Sequence, residues 1–223
     1  MNINNIKFIK HSKLYLNLGL SICFALLLLF FRMKLTQSYF YFFLVWNLFL
    51  AGIPLFITQL MKYYHTWRTS TWQKILLFST WLLFLPNSPY IITDLIHLHD
   101  KDSILIWFDL FLVFVFALNG LLLGLLSLMD MRGFISKIYS KRVSFLATFS
   151  ICILCGYGIY LGRFLRFNSW DVLTKPIFLF EKIGSSLTQP KVWAMTLAFG
   201  GLLWIMFSIL DTVFRTRGHE IIE

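Results

Sequence analysis

Residues Leu83–Asp100 read LFLPNSPYIITDLIHLHD, and the way this stretch folds decides how the rest of the chain is understood. An apolar run stops at Pro86-Asn87-Ser88-Pro89, and Tyr90, Asp94, His97, His99 and Asp100 then arrive among isoleucines and leucines. Each proline lacks an N–H and pushes the residue before it out of the α region, so the incoming helix is expected to end near Leu85. Ser88 is a good N-cap, and Pro89 suits the first helical position. The pattern predicts a second, short helix from Pro89 to about Asp100. On it Tyr90, Asp94, His97 and Lys101 fall at i, i+4, i+7 and i+11, one polar stripe. Asn87 can bond the carbonyls freed at the break, as irregular backbone at membrane depth requires. His97 and His99 diverge by about 200° on a helix, so they share a metal only if the segment is extended. Asp94 and His97, at i and i+3, can form an acid–imidazole pair. His99, Asp100 and Asp102 read as solvated loop residues.

The chain around this break is built for lipid. Only 13% of its 223 residues are charged and 58% are hydrophobic, whereas a soluble domain is about one quarter charged. Mean hydropathy is +0.74. The 8 Trp and 9 Tyr suit membrane interfaces, where a ring is buried and its polar tip stays wet. A net charge of +10 would suggest nucleic acid in a soluble protein. Here the basic residues occupy short connections between apolar runs, so an anionic bilayer is the expected partner and nucleic acid is not. Cys23, Cys152 and Cys155 all lie inside apolar runs. The Cys152–Cys155 pair has C-x-x-C spacing but no βαβ context, so a structural role is expected.

A span needs about 20 mostly apolar residues. Six segments qualify, at about 14–31, 35–61, 75–88, 104–129, 143–165 and 192–213. The fold class is therefore all-α, a polytopic membrane helical bundle forming one integral domain over residues 1–223, with a short interfacial or re-entrant helix after the third span. Interfacial segments are expected at about 89–100 and at 176–187, PIFLFEKIGSSL. The basic N-terminus is followed by a long run without a small-residue cleavage site, which reads as a retained first span. Six spans put both termini on one side. That side carries 12 of the 20 Lys and Arg, so both termini are expected in the cytoplasm and the break at the outer face.

Polar residues inside spans mark candidate sites, because burying them unpaired is expensive. Asp109 and Asn119 lie in the fourth span. Arg163 and Arg166, at i and i+3 where the fifth span ends, are the nearest outer cations, with Tyr160 one turn earlier. A bridge from Asp109 to Arg163 is the expected pairing. Gly120-Leu-Leu-Leu-Gly124 and Gly158-Ile-Tyr-Leu-Gly162 are both G-x-x-x-G, which lets backbones approach in lipid and predicts that the fourth and fifth spans meet. Asn119 is expected to bond across that interface. After Arg166, Asn168 or Ser169 can cap a turn, Trp170 can sit at the interface and Asp171 adds an acid. The inner loops KYYHTWRTSTWQK (62–74) and DMRGFISKIYSKR (130–142) fit positive-inside anchoring.

The stretches FLPNSPYIITDLIHL, WFDLFL, ALNGLLLG and GIYLGRFLRFNSWD resemble the motifs of a bacterial integral-membrane family known as domain of unknown function 1361. The resemblance runs from about the second span to the last. It implies a multi-spanning protein of the bacterial cytoplasmic membrane, and it brings no activity, substrate or assigned site.

The candidate catalytic residues are Asp94, His97 and Asp109. The candidate substrate-binding residues are Asn87, Tyr90, Asn119, Tyr160, Arg163, Arg166, Asn168 and Asp171. Gathered on the outer side, they fit a site for an anionic lipid or lipid-linked substrate, with the arginines on phosphate or carboxylate and Asp94 with His97 as a general base. A non-catalytic scaffold and a small proton-coupled transporter are the alternatives. The chain carries no G-x-S-x-G, P-loop, H-E-x-x-H or G-x-G-x-x-G. No cofactor is therefore indicated, and a divalent metal would have to be assembled from Asp94, His97 and Asp109.

Overall fold

The computed structural model describes the backbone of residues 3–63, 70–99 and 105–219, and the side chains of 13–63, 70–96, 98 and 105–214. Among the described residues six helical segments are long and apolar enough to cross a membrane, the third running from Thr71 through the break to Ile96, and there are no strands. The protein is an all-α, multi-pass membrane bundle. In chain order the helices are α1 (Ile3–Thr36), α2 (Phe43–Tyr63), α3 (Thr71–Phe84), α4 (Asn87–Tyr90), α5 (Ile106–Ile138), α6 (Lys141–Arg163), α7 (Asp171–Thr174), α8 (Pro176–Ser186) and α9 (Pro190–His219). Short 3-10 segments cover Phe40–Phe42 and Ile91–His99.

The centre of the bundle is α5, which is apolar all round because it is surrounded. In its most apolar window 67% of residues are buried, against 17% for α1 and for α9, which face outward. One apolar core joins α1, α2 and the first half of α5 to Ile91 just past the break. A second joins α2, α3, the second half of α5, α6 and α9. Trp81 of α3 is fully buried in it, and its indole N–H donates to Ser127 Oγ of α5 at 2.5 Å, which satisfies the polar end of a large apolar ring. Helices α6 and α9 pack backbone to backbone. A Cβ on Gly156 would collide with the carbonyl oxygen of Thr196, and one on Gly200 would stand 2.9 Å from that of Cys152. Cys152 and Cys155 are buried beside this contact.

The incoming helix stops where the prolines require, with α3 ending at Phe84 and Leu85 as its C-cap. The outgoing segment differs from expectation. Only Asn87–Tyr90 is α-helical, Pro86 takes the N-cap position, and Ile91–His99 winds as a 3-10 helix. With three residues per turn, Asp94 follows Ile91 rather than Tyr90. Ser88 does not cap. It is buried against α2, and its hydroxyl donates to the Ala51 carbonyl at 3.1 Å. Ala51 lies next to Leu50, whose carbonyl Pro54 of α2 leaves without its helical donor.

The glycine pairs also have a different partner. A Cβ on Gly120 would meet the Ser88 carbonyl oxygen at 2.7 Å, and one on Gly124 would meet Ser88 Cβ at 2.6 Å. From the other side, a Cβ on Gly158 would meet Pro86 Cγ at 2.5 Å, and one on Gly162 the Tyr90 ring at 3.2 Å. Both G-x-x-x-G surfaces grip the break itself; α5 and α6 do meet, as expected, but within the second apolar core and not glycine on glycine. Small residues are needed because the break, with its prolines and the side chains of Tyr90 and Ile91, lies directly against two helices.

Candidate functional site

Where the break passes α6, an open cleft of ≈ 790 Å³ forms among α2, α3, α4, α6 and the connection from Arg163 to Leu179. Its construction starts from the freed carbonyls. Pro86 cannot donate, and the chain turns before the normal partners of Leu83 and Phe84 arrive. Asn87 Nδ2 donates to the Phe84 carbonyl at 3.0 Å, as expected from the sequence, and also to Ser169 Oγ at 3.0 Å. Ser169 Oγ in turn donates to the Leu83 carbonyl at 3.0 Å. The loop after α6 is thereby fastened to the end of α3, and the gap between them is the cleft.

Arg163 ends α6 and lines the cleft. Its Nη1 donates to Asp94 Oδ1 at 3.0 Å, and its guanidinium lies 5.9 Å from the centre of the Tyr90 ring. Asp94 sits behind it, 2% exposed, and also accepts from Asn47 Nδ2 at 2.8 Å. Arg166 lines the same cleft, is exposed, and has a φ of 56°. That left-handed backbone costs a residue with a side chain about 1 kcal/mol or more. It reverses the chain, so that the Phe167 N–H reaches the Leu161 carbonyl at 3.1 Å. Further along the loop, Asp171 accepts from the Asn168 N–H at 2.7 Å and from Thr174 Oγ1 at 3.1 Å. These bonds, the backbone N–H first, hold its carboxyl below the ordinary aspartate range.

Of the residues proposed from sequence, Asn87, Tyr90, Arg163, Arg166 and Asn168 line the cleft. Asp94 stands behind Arg163, and Asp171 folds back on its own loop. Tyr160 is buried, its ring 6.3 Å from that of Tyr157 and 5.3 Å from that of Phe164. Tyr157 is the tyrosine of α6 at the cleft, with its hydroxyl 2.8 Å from Ser186 Oγ of α8. The side chain of His97 lies outside the described residues, as do Asp100, Lys101 and Asp102 and the side chain of His99.

Asp109 and Asn119 are elsewhere. Asp109 pairs with Arg32 of α1, whose Nε and Nη2 both donate to it, the latter at 2.9 Å, and it accepts from the Tyr41 hydroxyl at 3.0 Å. The expected bridge to Arg163 is not made, because α1 and the turn before α2 reach the start of α5 first. Asn119 is fully buried and donates to Val115, one turn back on its own helix, at 2.9 Å, while its Oδ1 has no partner among the described residues. It does not bond across to α6. Among the described residues no three His, Cys, Asp or Glu side chains come together. Asp94 and Asp109 are each held by an arginine.

Sequence reasoning overlooked Asn47, Tyr157 and Ser169 as parts of this site, and Arg32 as a partner. Asn47 is a lone amide in the run YFYFFLVWNLFLAG, a signal of the same kind as Asn119. Arg32 lies on the same side as Asp109 in any six-span topology. Ser169 carried no distinguishing signal.

No curated protein and no solved structure matches the chain. A family model described as Protein of unknown function (DUF1361) matches residues 46–206, a run that starts in α2, ends in α9 and contains every wall of the cleft. The match spans well over half of the sequence, and the protein therefore belongs to the DUF1361 family.

Proposed function

We propose that the cleft binds an anionic lipid or the anionic head of a lipid-linked substrate at the outer face of the bacterial cytoplasmic membrane, with both termini in the cytoplasm. The observation that carries this is the polarity gradient along one wall. Arg163 and Arg166 stand at one end of the cleft, with Asn87, Asn168 and Ser169 near them. The same wall continues along α6 through Leu161, Gly158 and Tyr157, whose hydroxyl is paired with Ser186, to Leu154, about 13 Å deeper at 1.5 Å per residue. Leu82 and Leu83 of α3 face it, and Trp46 and Trp170 flank it. A cationic end joined to an apolar trough suits an amphiphile better than a small soluble anion. The excess of Lys and Arg on the other side supports the outer placement.

The reading is one of binding. Asp94, the candidate base, faces Arg163 and Asn47 and is not among the lining residues. The test is lipid retention by the purified full-length protein, measured by native mass spectrometry. Arg163→Ala and Arg166→Ala should each lose bound anionic lipid selectively over zwitterionic lipid, by about tenfold or more for a charge-assisted contact. Equal retention of both lipid types by the wild-type protein would overturn the reading.

A further inference from the structure

The charges around the cleft do more than set a sign. Among the described residues its lining holds two cations, Arg163 and Arg166, and no carboxylate. The charge of Arg163 is balanced by the buried Asp94, 3.0 Å behind it, so at the cleft it offers N–H donors but adds no net charge. Asn47 and the packing around Asp94 keep that carboxylate in place, and drawing Arg163 away would leave a buried charge uncompensated, which is strongly disfavoured. Asp171 is matched separately, by its own loop and by the charge of Lys175. The remaining cation is Arg166, which makes no hydrogen bond or ion pair among the described residues.

Arg166 is also the lining residue with a left-handed backbone, a conformation that glycine adopts freely and arginine does not. The turn closes the end of α6, with the Phe167 N–H on the Leu161 carbonyl, but glycine would make it without strain, so the arginine side chain is what the strain leaves to be explained. We infer that the cleft selects a head group with one negative charge, a phosphodiester, and that Arg166 is the residue that neutralises it. This rests on the amphiphile reading above and narrows it. Among the described residues no further cation lines the cleft, so the extra charges of a diphosphate would be desolvated without a partner.

The experiment is a titration of the full-length protein in neutral detergent, read by native mass spectrometry and by thermal shift. The probes are phosphatidylglycerol, a prenyl diphosphate, zwitterionic phosphatidylcholine, and the soluble head glycerophosphoglycerol. Phosphatidylglycerol should bind at least about tenfold more tightly than phosphatidylcholine, the margin of one charge-assisted contact, more tightly than the soluble head, which lacks the acyl chains, and more tightly than the diphosphate, whose extra charge would be desolvated unpaired. Weak binding of the soluble head assigns the ligand to the bilayer, and equally tight binding would overturn the lipid source. If no anionic lipid is preferred over phosphatidylcholine, the amphiphile reading itself fails. If the diphosphate binds as well as the diester or better, that reading stands and the single-charge inference fails.

The decisive variant is Arg166→Gly. It removes the guanidinium and relieves the backbone, so Tm should stay level or rise while phosphatidylglycerol affinity falls about 10- to 100-fold. Arg166→Lys should recover part of that affinity, because the point charge remains while the bidentate fork is gone. A Tm loss in Arg166→Gly with affinity unchanged would make Arg166 a structural residue and overturn its assignment.

Discussion

Two buried aspartate–arginine pairs lie near the same end of the bundle and use the same chemistry for different purposes. Asp109 is enclosed by Arg32 and Tyr41, which come from α1 and from the turn before α2. Asp94 is held by Arg163 and Asn47, from α6 and α2, and Arg163 has its other side on an open cleft. In the first pair both partners are spent on each other and on a tyrosine hydroxyl. In the second the carboxylate is enclosed, while its arginine also lines the cleft. A charge inside a membrane span is commonly taken as a functional mark. Here that mark fits the pair whose cation lines a cavity, and the closed pair reads as a fastening between α1 and α5.

Neutralising each pair in two steps separates the two roles. Arg32→Met alone leaves Asp109 buried without its cation and should cost about 3–5 kcal/mol, seen as a large fall in Tm and in accumulated protein. Adding Asp109→Asn removes the stranded charge and keeps an acceptor for Tyr41, so most of that stability should return, with lipid retention equal to wild type. Arg163→Met followed by Asp94→Asn should likewise regain stability, but lipid retention should not return. If both double variants keep the lipid, Arg163 is a fastening too and the two regions are equivalent.

Smaller effects should come from the glycines that grip the break. Gly124→Ala and Gly158→Ala place a methyl 2.6 Å from Ser88 Cβ and 2.5 Å from Pro86 Cγ, an overpacking that costs about 1–3 kcal/mol. Because the break carries Asn87 and Tyr90 into the cleft, lipid retention should fall along with Tm. A methyl on Gly201 would have nothing within 4 Å, so Gly201→Ala should be neutral or stabilising by up to about 1 kcal/mol. Thermal unfolding of the three variants side by side separates the break from a generic helix effect. Equal melting would remove the break as the organiser of the site.

Part of this was legible in the residues alone. Proline chemistry and apolar length are local, so the six apolar spans, the stop at Leu85 and the bond from Asn87 to a freed carbonyl could be read directly. Partner choice is not local. Asp109 had Arg32 and Arg163 as candidate cations on its own side, and the order in which helices pack around α5 decided between them. Because α5 is apolar on every face, its periodicity gave no direction for Asp109 or Asn119. A G-x-x-x-G states that something comes close without stating what, and here it was the irregular Ser88–Ile91 backbone in one case and Pro86 and Tyr90 in the other. The choice of 3-10 over α winding past Tyr90 likewise belongs to the packing of Ile91 and Asp94 against α2 and α5.

The smallest expected effect lies in the loop that presents Arg166, and pH is its readout. Asp171 accepts a backbone N–H and a threonine hydroxyl, and its folded carboxyl is held below the ordinary aspartate value of 3.8. A depressed carboxylate contributes stability that is fully present above its unfolded value and fades as pH falls through the folded one. Asp171→Ala should therefore cost about 1 kcal/mol near neutrality, similar to losing a helix cap. The Tm gap between wild type and variant should hold steady down to about pH 5 and narrow below about pH 4. Loosening this loop removes the support for the left-handed Arg166, so lipid affinity should fall modestly in the variant even where Tm barely moves. A gap that widens with acid would contradict the depressed carboxyl, and an unchanged affinity would show that Arg166 is positioned by α6 alone.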